Sequence, residues 1–130
     1  MLGLSPSVRI FLSTQPADMR RSFDGLARMV EQFMGADPLS GHLFVFRNKR
    51  SDRVKLLYWD RDGYALWYKR LEQGTFRFAL PTGAQAAQGC VEATAGELAM
   101  LLEGIDLKYA KRSPRYARRA TRKLVESSRC

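Results

Sequence analysis

The chain has 130 residues, one domain's worth, and its 45% hydrophobic and 11% aromatic content is too apolar for a disordered chain. Its 22 Lys+Arg against 13 Asp+Glu give a formal net charge of +9, and no run of about 18 apolar residues exists to span a bilayer. That charge is uneven: residues 1–106 hold 13 Lys/Arg and 12 Asp/Glu, a net of +1, whereas residues 107–130 hold nine Lys/Arg and one acid, a net of +8.

Val8-Arg9-Ile10-Phe11-Leu12 reads as a first short strand running into a loop at Ser13-Thr14-Gln15-Pro16. Asp18 is placed to cap a helix in which Met19, Phe23, Leu26, Val30 and Phe33 recur at steps of four and three, the spacing of one buried stripe, until Gly35 and Pro38 stop it. The period then changes. His42–Phe46 and Val54–Trp59 are apolar runs joined by a basic segment, 47–53, which together predict a β-hairpin. Asp60-Arg61-Asp62-Gly63 is a turn, followed by strands over Tyr64–Tyr68 and Thr75–Leu80, the last with Phe76, Phe78 and Leu80 on one side. Thr82–Gly89 reads as a small-residue loop. Thr94-Ala95-Gly96-Glu97 has capping-box spacing ahead of a short helix lined by Leu98, Leu101, Leu102 and Ile105, with Gly104 at its end.

This order predicts an α+β fold: an antiparallel β-meander of four to five strands packed by an N-terminal helix and a short C-terminal helix, plus a basic tail. Residues 1–106 form the single domain. Residues 107–130, with a thin stripe of Ala117, Ala120 and Leu124, are expected to be marginally helical or disordered.

Catalytic chemistry has little support. Asp18, Asp24, Asp52, Asp60 and Asp62 are the candidates for a nuclease-type metal site, but Asp18 has a simpler use as a cap, Asp60 and Asp62 in a turn, Asp52 in a loop ion pair and Asp24 on the solvated face of the helix. His42 follows a glycine at a strand start, has no nucleophile in a recognised spacing, and reads as a hydrogen-bonding residue. Cys90 and Cys130 lack CxxC spacing and read as unpaired thiols; with one histidine they are too few for a structural zinc site. No catalytic residue, metal site or cofactor is expected. Met1–Thr14 lacks the layout of a secretion signal, so the expected location is cytoplasmic.

Nucleic-acid binding rests on two basic features. The hairpin supplies Arg47, Lys49, Arg50, Arg53 and Lys55 within nine residues, with Lys69 and Arg70 further along. The tail supplies Lys111, Arg112, Arg115, Arg118, Arg119, Arg122 and Lys123. Such residues contact phosphates and give salt-dependent affinity without sequence preference of their own.

At Asp18-Met19-Arg20-Arg21-Ser22-Phe23-Asp24-Gly25-Leu26 the sequence resembles the signature of the small accessory proteins (TnpB) encoded by the second reading frame of insertion-sequence-66-type transposable elements. Gly41–Arg50, Asp52–Asp60, Tyr68–Phe76 and Leu101–Asp106 are similar to that family's further blocks, in the right order. The recurrent polar positions correspond to Asp18, Arg20, Asp24, Asn48, Arg53, Lys55, Trp59, Asp60, Lys69, Arg70, Glu103 and Asp106. The resemblance implies a non-catalytic accessory protein of bacterial DNA transposition. Its implied partners are DNA, bound with weak sequence specificity, and the transposase of the same element; no membrane partner is implied, and the oligomeric state stays open. Two alternatives stand beside it: a module that docks on the transposase through an aromatic sheet face without touching DNA, and a metal-dependent nuclease-like enzyme. The extension after Asp106 is longer and more basic than the family blocks require.

Overall fold

The computed structural model describes residues 5–78 and 88–103. Its elements are β1 (Ile10–Ser13), α1 (Phe23–Gln32), β2 (Leu43–Arg47), β3 (Arg53–Asp60), β4 (Gly63–Arg70), β5 (Cys90–Ala93) and α2 (Ala95–Leu102). The strands form one five-stranded sheet in the order β4-β3-β2-β1-β5. β2, β3 and β4 are the antiparallel meander that the sequence predicts. β1, however, pairs parallel with β2, and β5 pairs antiparallel with β1, so the sheet is mixed within an α+β fold.

Strand alternation divides the core in two, because successive side chains point to opposite faces. Ile10, Leu12, Leu43, Val45, Val54, Leu56 and Val91 pack with Leu98, Leu101 and Leu102 of α2. Phe11, Phe44, Phe46, Leu57 and Cys90 pack with Leu26, Ala27, Met29 and Val30 of α1. The two helices therefore cover opposite faces. α2 starts on the predicted capping box, with Glu97 N–H donating to Thr94 Oγ1 at 3.0 Å and Thr94 N–H donating to Glu97 Oε1 at 2.8 Å. Gly104, Ile105, Asp106 and the basic residues Lys111–Lys123 lie outside the described residues.

Four expectations are corrected. Residues 75–78 are not strand; Leu71 N–H donates to Asp52 O and Phe76 N–H to Ser51 O, folding this segment over the hairpin tip. Phe76 is buried there as expected, while Ala79 and Leu80 lie outside the described residues. The fifth strand is instead Cys90–Ala93, too short to show a period of its own. Helix α1 begins at Phe23, not after Asp18, and its N-cap Ser22 makes no side-chain cap bond. The Met19 and Arg21 carbonyls, which a helix from Asp18 would have directed at residues 23 and 25, accept from Lys55 Nζ. Phe23 and Phe33, expected in the buried stripe, are 43% and 49% exposed at the helix ends. Finally, Cys90 is disulfide-bonded rather than an unpaired thiol, and its partner lies outside the described residues.

Gly35 follows the end of α1 as expected: at φ +62° it turns the chain back so that Ala36 N–H donates to Val30 O at 3.1 Å, satisfying a carbonyl of the last helical turn.

Candidate nucleic-acid interface

β1 and β2 run parallel, so the β1–α1 segment and the β2–β3 turn emerge at the same end of the sheet. They are tied together there. Ala17 N–H donates to Arg47 O at 2.7 Å. From β3, Lys55 donates to Met19 O at 2.8 Å and Arg21 O at 2.7 Å while its ammonium sits 4.6 Å from the Tyr68 ring centroid. The result is a cleft of about 630 Å³ lined by Pro16–Arg20 on one side and by Asn48, Lys49, Arg50, Asp52 and Arg53 on the other.

Each acid in this cleft already has a partner. Asp18 accepts two bonds from the Arg20 guanidinium at Nε and Nη2 and one from the Arg20 backbone N–H at 2.9 Å. The Arg20 guanidinium, then its backbone N–H, pulls the Asp18 carboxyl down to about 2. Asp52 accepts from Asn48 Nδ2 at 2.6 Å, while Asn48 Oδ1 accepts from Arg53 N–H at 3.1 Å, so one carboxamide braces both sides of the turn. The Asn48 bond is the main cause that holds the Asp52 carboxyl below its ordinary range. Lys49 and Arg50 are exposed, and neither donates a side-chain hydrogen bond among the described residues. Arg53 donates to Tyr68 Oη at 3.2 Å. With its carboxylates satisfied internally, the cleft presents cations outward, which suits a polyanion.

Other predicted site residues stand elsewhere. Lys55, expected to face phosphate, is 5% exposed and holds the Met19–Arg21 backbone instead. Arg47 points to the α2 side of the sheet, donating to Thr14 O at 3.4 Å, with its guanidinium 5.8 Å from the Phe78 ring centroid. Burial pushes its pKa down. Lys69 donates to Leu102 O at the end of α2, and Arg70 pairs with Glu72 at 2.9 Å. Asp24 is in the first turn of α1, and Glu103 is the exposed C-cap of α2. Trp59 meets Tyr64 edge-on at the other end of β3, beside Asp60.

That end is far from the cleft, since β3's eight residues advance the chain about 23 Å. Asp60 and Asp62 therefore do not join Asp18 and Asp52, and among the described residues no group of three or more His, Cys, Asp or Glu could hold a metal ion. His42 has the structural use expected of it: Nδ1 accepts from Arg9 N–H at 3.0 Å, and burial, then the nearby Arg9 charge, lowers its pKa. The residue missed from the sequence is Tyr68, which contacts both Lys55 and Arg53. Its only signal was its place opposite Lys55, which requires the β3–β4 register.

Most of the residues that line the cleft, Asp18–Arg20, Asn48–Arg50, Asp52 and Arg53, lie in the blocks that carry the resemblance read from the sequence. The model of the IS66 Orf2-like proteins (TnpB_IS66) matches residues 8–112. The chain belongs to this family. As an IS66 Orf2-like protein it has a transposition-associated accessory role. It is similar to the uncharacterized protein y4jC of Sinorhizobium fredii strain NGR234, with 40% identity over 114 residues, 88% of this chain and 93% of that protein. A second protein of that strain, the uncharacterized y4hO, is 36% identical over 109 residues, 84% of this chain and 90% of its own. No solved structure matches at a significant level. No helix among the described residues is long and apolar enough to cross a membrane.

Proposed function

We propose that this IS66 Orf2-like protein is a non-catalytic cytoplasmic accessory factor that binds DNA phosphates with weak sequence specificity beside the transposase of its element. One observation carries the reading: Arg20, Lys49, Arg50 and Arg53 are gathered around a single cleft whose two carboxylates are already satisfied. Anisotropy titrations against terminal-repeat and random duplexes test it. Binding to both at low salt is expected, with log K falling linearly with log salt. Removing one phosphate-contacting cation, as in Arg50→Ser, lowers that slope by about 0.9. Absence of binding to either duplex at low salt overturns the DNA reading.

A second reading, docking on the transposase, draws on Phe23, Phe33, Leu39 and Tyr68, which are 43–52% exposed. Of the sheet aromatics first considered for that role, Phe44 and Phe46 are buried against α1, while Tyr68 stays exposed. Co-purification with the transposase in the absence of DNA, lost in Tyr68→Ser or Phe23→Ser but kept in Arg50→Ser, supports docking instead.

A further inference from the structure

We infer that the outer edge of β4 pairs with β4 of a second copy of this chain, continuing the sheet across a two-fold axis at Leu66. β4 ends the sheet, and no described strand pairs with its outer edge. The register says which backbone groups lie there. Leu71 N–H donates inward to Asp52 O, one step beyond the last β3–β4 pair, Arg53↔Arg70. Successive residues of a strand turn their N–H and C=O groups to opposite sides, so residues 63, 65, 67 and 69 bond to β3 while Tyr64, Leu66, Tyr68 and Arg70 point theirs outward. Natural sheets blunt such an edge with charge, proline, a bulge or a short strand. The edge strand on the far side, β5, is four residues long and carries Glu92, which pairs with Arg9. β4 is eight residues long and pairs with β3 without a bulge. From Gly63 to Tyr68 it has neither charge nor proline, and Tyr64, Ala65, Leu66 and Trp67 are only partly buried.

Self-complementarity identifies the occupant. An antiparallel copy centred on Leu66 sets outward residue against outward residue, Leu66 on Leu66 and Tyr64 on Tyr68, all on the face that α1 covers. On the face that α2 covers, Trp67 lies beside the small Ala65 of the copy. Arg70 comes beside the turn acid Asp62 of the copy, and both are exposed. Nε and Nη2 of Arg70 bond Glu72, whereas Nη1 has no partner among the described residues and is open to a second carboxylate. Moving the axis to Trp67 sets indole on indole and brings Glu72 beside Asp62, like charge to like; moving it to Ala65 shortens the ladder. Charge and volume together select Leu66.

Sedimentation equilibrium of the full chain over a dilution series, without DNA, tests the pairing. The wild type is expected to reach twice the 14.8 kDa chain mass. Arg70→Glu and Asp62→Arg should each raise the dimer dissociation constant about tenfold, because two like-charge contacts replace two opposite ones, and Asp62→Arg/Arg70→Glu should regain most of that loss. Amide hydrogen exchange reads the register: the Tyr64, Leu66 and Tyr68 amides are slow in the dimer and fast on dilution, while those of Ala65 and Trp67 are slow in both. A wild type that stays monomeric at NMR concentrations overturns the inference, and so does a dimer whose outer amides exchange fast. Single variants that dimerise as tightly as wild type also overturn it. A monomer whose outer amides become protected only with the transposase gives the edge to that partner instead and overturns self-pairing.

Discussion

The ammonium of Lys55 lies 2.8 Å from the carbonyl oxygen of Met19, inside the fold rather than at its surface. A cation from the middle of β3 thereby sets the path of the family-signature segment that forms one wall of the cleft. Lys55→Met keeps most of the packing volume but leaves the Met19 and Arg21 carbonyls without their charged donor. A loss of about 2–3 kcal/mol is expected, read as a lower denaturant midpoint at unchanged m-value. In DNA titrations the same variant should not flatten the salt slope as Arg50→Ser does, because Lys55 does not face the ligand.

At Gly89 backbone meets backbone. At φ +88° it donates no side chain into the space held by the Phe33 carbonyl, and a Cβ there collides with that oxygen. Gly89→Ala combines a strained dihedral with a clash that no rotamer relieves, and about 3 kcal/mol or more is expected to be lost. Gly35→Ala is the control. It has a similar dihedral, φ +62°, but nothing within 4 Å of the added Cβ, so it should cost only about 1–2 kcal/mol. Equal losses in the two variants would contradict the close approach.

The cleft acids give a pH signature. Both folded-state values lie below the ordinary 3.8, Asp18 at about 2 and Asp52 lowered. The order they contribute is therefore fully present above about pH 4 and is lost as pH falls through the depressed values. Arg20→Ala should raise the Asp18 titration part of the way to 3.8, since the backbone N–H of residue 20 still donates. Asn48→Ala should raise that of Asp52. Carboxyl carbon NMR titrations read each shift separately.

The α2 cap is testable alone. Thr94→Ala removes the hydroxyl that accepts from Glu97 N–H and leaves the glutamate half of the box, so a loss of about 1 kcal/mol is expected. Thr94→Ser should restore most of it, as measured by thermal unfolding.

The local pieces were legible in the sequence because they depend on residues close together along the chain. The capping box at Thr94–Glu97, the hairpins on either side of Arg53–Asp60, the stop at Gly35 and the ordered family blocks all carry their signals within a few residues. So does the division of charge between residues 1–106 and 107–130. The tertiary structure decided what those pieces do together. It placed β1 parallel to β2, made Cys90–Ala93 the fifth strand, and moved the helix start to Phe23. It also sorted the hairpin cations, which sequence spacing treats alike: alternation sends Arg47 to the α2 face and Lys55 to the α1 face, where segment 19–21 covers it, while the turn leaves Lys49 and Arg50 exposed. Residues 33–36 positions apart meet in the Lys55, Arg47 and Lys69 contacts, and such pairings depend on strand order and register, which periodicity does not encode.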